Sequence, residues 1–297
     1  MSDLPLPHNL TEPALDHLPP DVFLRLSAAV DHMPAFPKSV EQILTLTRNV
    51  ACSAKDLVQV INRDPVITVK VLRVVNSAYY GLAKQITSVD HAVVFLGFNT
   101  IKNLALSLAA VGMLPNKTLS GFDGQRYLMH SMATATLARQ LAKRLPGADA
   151  NDCFIAGLLH DFGKVVVAQF MPTEFRKAME LSLWRNLPLH QAMHEVMGVD
   201  HAHVGAMLAE KWHFAEDLVQ TIRFQHTPSQ SDTPMMASVV AANQLSKLMG
   251  YEFGGWLVIE ELPESVAQRL GGKLESVKAS LGDLGPLLNE AHVFSYL

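Results

Sequence analysis

Apolar residues recur at helical spacing along most of the chain, and almost nowhere do they alternate as a strand requires. Val22, Leu24, Leu26 and Val30 mark a first helix over 22–35, which Pro34 and Pro37 interrupt. Val40, Ile43, Leu44 and Thr47 fall at i, i+3, i+4 and i+7, and Asp56, Leu57, Val60 and Ile61 continue that logic after a short break. Asp64-Pro65 predicts a helix start, because Asp caps free backbone N–H groups and Pro is tolerated in the first turn. That helix runs from Val66 to about Ser77 and stops near Gly81. Ser88 caps a short helix that Gly97 ends, and Asn99 opens an Ala/Leu-rich one reaching about Val111. Asn76 and Ser77 are expected to bond backbone near the end of their helix, and Arg73 to pair with Asp64 or a neighbouring carboxylate.

Pro115 to Gly124 collects Asn, Lys, Thr, Ser, Gly and Asp, which makes it the best candidate boundary. A second helical block follows over about 126–144, 151–161, 173–185, 188–196, 200–212, 215–226 and 234–249. The remainder, 255–297, reads as helix with a Gly-rich break at 271–272. Val165-Val166-Val167-Ala168 reads either as a short strand or as a buried helix start. The fold class is all-α, a multi-helical bundle of two lobes. Residues 1–21 form an arm, 22–115 the N-terminal lobe, 125–250 the second lobe, and 251–297 a helical extension packing on both.

Composition narrows the class. Of 297 residues, 49% are hydrophobic and 18% charged, too apolar for disorder and enough for a core without disulfides or metal. The net charge of −4 lacks the basic excess of a nucleic-acid footprint. Cys52 and Cys153 form no CxxC pair and read as thiols of a reducing cytoplasm. The N-terminus lacks a basic n-region and an apolar h-region, and the longest apolar stretch, Leu104 to Leu114, falls short of the roughly 20 residues that cross a bilayer. A cytoplasmic location without membrane association is therefore expected.

Histidine changes the picture most. Eight of the 13 histidines lie between His130 and His226. The sharpest motif is Gly157-Leu-Leu-His160-Asp161-Phe-Gly163-Lys164. Adjacent residues do not share a helix face, but His160 and Asp161 can converge on a metal if the helix ends there, and Gly163 supplies an ending. The same dipeptide also reads as a plain helix C-terminus with Asp as a local cap. His130, taken to begin the preceding helix, together with His201, His203 and His226 near other helix ends, makes a metal constellation plausible. His201 and His203 stand two apart, so one of them is expected to face solvent. His190 and His194, spaced i and i+4, read as a solvated face, and His213 is also set aside. His194-Glu195 is no HExxH pair, since the next histidine falls six residues after the Glu rather than three. Phosphate loops and a GxSxG elbow are missing from the sequence.

Several segments resemble the HDOD family, the HD-related output domain of bacterial signalling proteins. They are Leu57…Ile61-Asn-Arg-Asp64-Pro65…Lys70-Val-Leu-Arg73-Val-Val-Asn76-Ser77-Ala-Tyr-Tyr-Gly81, Ile86-Thr-Ser88…Leu96-Gly97, Glu195…Gly198-Val-Asp-His201-Ala-His-Val-Gly205, and Ile222…His226. The resemblance spans about 22–250 and implies two α-helical lobes, the second related to the HD phosphohydrolases. In active members of that superfamily a His, a His-Asp pair and a later Asp hold a divalent metal that activates water against a phosphoester. By position, His130 matches the first His, His160-Asp161 the pair, and His201 and His226 the additional histidines that some relatives use. The later Asp falls on Asn243, a weaker neutral ligand. Asp161 and Lys164 are the candidate catalytic residues, with Lys164 facing phosphate or simply lying at the surface. The implied cofactor is a divalent ion (Fe, Mn, Zn or Mg). The resemblance implies a non-catalytic signalling output or scaffold that binds signalling proteins in trans or a small nucleotide. The alternative is a metal-dependent phosphohydrolase acting on a nucleotide or cyclic dinucleotide.

Overall fold

The computed structural model describes residues 18–285 except 36, 48–52, 78–79, 81, 83 and 115–120. Cys52, Gly81, most of the N-terminal arm and much of the Pro115–Gly124 boundary therefore lie outside the described residues. The described residues form α-helices and no strand, as the spacing predicts. The first half carries α1 (Pro20–His32), α2 (Lys38–Thr47), α3 (Ala54–Asn62), α4 (Pro65–Val75), α5 (Val89–Leu96) and α6 (Phe98–Gly112). The second carries α7 (Gly124–Ala142), α8 (Ala150–Leu159), α9 (Phe162–Phe170), α10 (Pro172–Arg185), α11 (Leu189–Met197), α12 (His201–Lys211), α13 (Glu216–Arg223) and α14 (Pro234–Leu248), followed by α15 (Glu264–Leu270) and α16 (Leu274–Leu281).

Helix starts follow side-chain caps. Ser53 and Asp56 form a capping box at α3, and Asp64 accepts from the backbone N–H groups of Val66 and Ile67 at α4. Asp123, Asp149, Asp200 and Thr233 do the same for α7, α8, α12 and α14, the helices that carry most of the site. Gly97, at φ 86°, separates α5 from α6. Helix α7 packs most extensively on α8 and α14, α12 packs on α9 and α13, and α6 bridges to α8. Helix α1 packs on α9 and α12 rather than only on its chain neighbours. Lys211 Nζ of α12 donates to the carbonyls of Val30, Asp31 and Met33 at 2.9, 2.8 and 3.2 Å, and Arg25 of α1 also pairs with Glu174 of α10.

Several expectations are corrected. Of the two readings of Val165–Ala168 the buried helix holds and the strand does not: the segment lies within α9 and is fully buried, so its β-branched run reflects burial. Residues 251–263 are irregular and form a strap with no helical hydrogen bonding, because paired Gly254-Gly255 at φ 66° and 78° takes the left-handed region. Arg73 is exposed, and Asp64 instead accepts from Ser39 Oγ at 2.7 Å. Ser77 Oγ is buried without a partner among the described residues, whereas Asn76 does bond backbone. The stretch Ala150–Phe170, which carries Asp152, Asp161 and Lys164, is long and apolar enough by length and mean hydropathy to cross a membrane, yet 89% of its apolar window is buried inside the fold.

Asn76 acts as a clamp. Its amide donates to Leu72 O and Ile86 O at 2.8 and 2.7 Å, and its Oδ1 accepts from Ile86 N–H at 2.7 Å. Asn76→Ala removes three bonds and leaves Ile86 backbone groups without partners in a half-buried turn. A loss of about 2–3 kcal/mol is expected, read as a lower urea midpoint with unchanged slope.

Candidate metal centre

The centre is built where α8 ends and α9 begins. His160 is the C-cap of α8 with φ −52° and ψ −36°, and Asp161 immediately precedes α9, so the chain turns within two residues and both side chains reach the same space. Gly163 does not end a helix; it lies in the first turn of α9, facing α12. His130 sits in the second turn of α7, not at its start. Asn243 comes from α14, and His201 opens α12.

The cluster is dry. His130, His160, Asp161 and His201 are each 0–1% exposed, and Asn243 is 5% exposed. His130 Nδ1 lies 2.8 Å from Tyr251 O and His160 Nδ1 lies 2.7 Å from Gly157 O. A ring nitrogen against a carbonyl must carry a proton, so in the neutral tautomer of either ring Nε2 keeps the lone pair. Those Nε2 atoms stand 3.3 Å apart, and 3.3 and 3.4 Å from Asp161 Oδ2. Two acceptor nitrogens and a carboxylate oxygen converging this closely require a positive charge among them. Asn243 Oδ1, buried without a partner, adds another acceptor. This donor set fits a divalent ion, with backbone carbonyls orienting the imidazoles from behind.

One cation already belongs to the cluster. Lys164 is buried, not at the surface, and its Nζ donates to Asp161 Oδ2 at 2.6 Å. His201 Nε2 lies 2.8 Å from Asp161 Oδ1, and His226 Nε2 lies 3.3 Å from His201 Nε2. Gln225 holds the His160 turn by donating to its carbonyl at 2.7 Å. The cavity over these groups encloses about 40 Å³, lined by Asp161, Lys164, Asn243 and Lys247 from the helices and by Phe253 and Trp256 from the strap. That volume holds an ion or a few waters, not a nucleotide.

The structure therefore brings His130, Asp161, Lys164, His201, His226 and Asn243 around one cavity, with His160 fully buried behind it against His130 and Asp161. His203 does not face solvent: it is buried and pairs through Nδ1 with Asp200 at 2.9 Å. His190 is also no solvated residue; its ring stacks on His226 with centroids 3.8 Å apart and planes at 9°. His194 stays half-buried and His213 exposed, both away from the cluster. Glu260 and Lys247 had no motif to mark them; Lys247 lines the cavity, and Glu260 lies against Lys247 and Gln244 because the strap folds back over α14.

Burial opposes the charge of Asp161, yet His160, Lys164 and His201 outweigh it and hold the carboxyl well below its usual range. Burial also pushes His160 down to about 3 and His190 to about 4, and it lowers His201 and His226. Cys153 is buried and its thiol is pushed up to about 12, so it is no nucleophile at neutral pH. The sign of the histidine shifts sets a pH dependence. Below the ordinary value of 6.5 the unfolded chain takes up protons that the folded one refuses. Stability in the presence of a chelator is expected to be flat above that value and to fall from there toward pH 4. The slope is as much as about 1.4 kcal/mol per pH unit for each such histidine. Urea midpoints taken at neutral pH and at acid pH check the direction; a midpoint that rises on acidification contradicts it.

Residues 33–228 match the family model of the HDOD domain. A crystal structure of an HDOD domain protein with unknown function from Geobacter sulfurreducens superposes with a TM-score of 0.76 at 26% identity, covering 92% of this chain and 98% of that one. An uncharacterized protein of Treponema pallidum is 29% identical over 243 residues, 80% of this chain and 46% of its own. A ribonuclease Y of Lawsonia intracellularis is 32% identical over 146 residues, 49% of this chain and 22% of that relative. The chain thus spans less than half of the length of either of these two relatives.

Proposed function

The chain belongs to the HDOD family, and on that premise we propose that it is a signalling output module of the bacterial cytoplasm, whose HD-type cluster binds a divalent metal and a phosphate-bearing small ligand without hydrolysing it. The observation that carries this reading is the charge of the cluster. Asp161 is the one carboxylate among His130, His160, Asp161 and Asn243, and Lys164 already neutralises it at 2.6 Å. A neutral amide at Asn243 leaves a dication with little compensation, which favours weak or exchangeable binding over a permanently loaded hydrolytic centre.

His130, His160, Asp161 and Asn243 would hold the metal. When bound, it would supply Lewis-acid polarisation of a phosphoryl oxygen. The chain's own groups do the rest. Lys164 and Lys247 present ammonium groups to an anion in the cavity, and burial lowers Lys247, so an incoming phosphate restores charge the site lacks. Tyr251 O and Gly157 O orient the imidazoles. Phe253 and Trp256 exclude water, and the strap must swing aside before anything larger than an ion enters.

Isothermal titration of the manganese-loaded protein with inorganic phosphate and with cyclic dinucleotides tests this. Binding of one of them is expected, with no product, and with at least about a tenfold loss of affinity in His160→Ala. Binding that is unchanged in His160→Ala would refute the assignment.

A second reading is hydrolysis of a nucleotide or cyclic dinucleotide. It is favoured by the convergence of His201 and His226 beside the His130–His160–Asp161 cluster, and by the likeness to a protein named ribonuclease Y. Partners of a signalling module would act in trans on this reading or on the first.

A further inference from the structure

We propose that His190, His226 and Glu260 form a second cation site beside the first cluster, taking a borderline divalent ion such as Zn²⁺, Fe²⁺ or Mn²⁺. One ring nitrogen of each histidine and one carboxylate oxygen of Glu260 all lie within 4.8 Å of one another. Two imidazoles and a carboxylate suit transition ions, whereas Ca²⁺ and Mg²⁺ prefer all-oxygen shells. The three residues come from separate elements. His190 is in the first turn of α11, His226 lies just beyond α13, and Glu260 is in the strap, outside residues 33–228 that match the family model.

Glu260 is built into place rather than left to wander. Its backbone N–H donates to Gln244 Oε1 at 2.9 Å, and Gln244 Nε2 donates to Glu260 Oε2 at 3.3 Å. Gln244 is itself buried, next to Asn243 on α14, so one helix serves the first cluster with Asn243 and braces the second with Gln244. His226 stands between the two, its Nε2 3.3 Å from His201 Nε2. An ion on His190, His226 and Glu260 ties the strap to α11 and to the end of α13, which closes the cavity over Asp161. The stacked rings of His190 and His226 set their nitrogens side by side, so a shared ion draws them out of parallel.

Lys247 Nζ lies 3.9 Å from Glu260 Oε2 and competes with any cation there. This makes a prediction in each direction. The full chain is stripped with chelator and titrated with zinc chloride, and equivalents are counted by calorimetry and elemental analysis while histidine ring shifts are followed by NMR. Two equivalents are expected for the wild type. Glu260→Gln and His190→Ala should each lose one, His160→Ala should keep that one, and Lys247→Met should bind it at least about tenfold more tightly. The inference is overturned if Glu260→Gln and His190→Ala both keep the wild-type number of equivalents, or if Lys247→Met binds no more tightly. Because His160→Ala is scored separately, failure of the first cluster and failure of the second are told apart.

Discussion

Gly163→Ala is expected to lose at least about 3 kcal/mol of stability, a large share of the roughly 5–15 kcal/mol that keeps a domain folded. An added Cβ at Gly163 would sit 1.9 Å from His201 O, 2.7 Å from Gly205 N and 2.9 Å from His201 C. All three are backbone atoms, so no side-chain rotation relieves the clash; α9 and α12 must move apart. On the other side, a Cβ added at Gly205 would sit 3.3 Å from Gly163 N, so the two glycines form one close crossing of the helices. That crossing sets His201 against Asp161 at 2.8 Å. Any Gly163→Ala protein that does fold should therefore also bind metal less well. Gly112→Ala is the control: only Lys70 Nζ lies near its added Cβ, at 3.9 Å, and no stability loss is expected. Thermal and urea midpoints of the two variants check the contrast. Equal midpoints would mean that α9 and α12 do not pack this closely.

Asn243→Asp should have the second-largest effect, and with opposite signs in two conditions. The new carboxylate shares a buried cavity with Asp161, so in chelator the variant should unfold at lower temperature than the wild type. With manganese added the order should reverse, since a second negative charge compensates the dication. Affinity is expected to rise about tenfold to a hundredfold, equal to about 1.4–2.7 kcal/mol. Melting curves with and without metal read both signs at once. Equal metal-induced shifts in the variant and the wild type would show that Asn243 does not face the ion.

Local signals were sufficient for the helical class and for several helix ends, because caps and breakers act within a few residues. Asp64-Pro65 starts α4 and Ser88 starts α5, with Gly97 closing it. The meeting of His130, His160, Asp161, His201, His226 and Asn243 at one site was legible only through the family resemblance. Their spacing in sequence says nothing about distance across α7, α8, α12 and α14. Where reading failed, a tertiary contact decided. Gly163 looks like a helix stop, yet its role is the close crossing with α12. Lys164 looks like a surface lysine, yet Asp161 draws it inside. His190 looks solvated beside His194, but the packing of α11 turns its ring onto His226. Glu260 sits in a stretch that resembled a helix and is an irregular strap, so no periodicity could have pointed to it.

The measurement that bears most directly on the proposed role is turnover. Manganese-loaded wild type and His160→Ala are assayed side by side against a panel of phosphodiesters, including cyclic dinucleotides. With Asn243 as a neutral ligand and Lys164 bound to Asp161, both proteins are expected to give the same background rate, while the wild type binds the ligand at least about tenfold more tightly. A wild-type rate well above background that disappears in His160→Ala would contradict a binding role and make the chain a hydrolase.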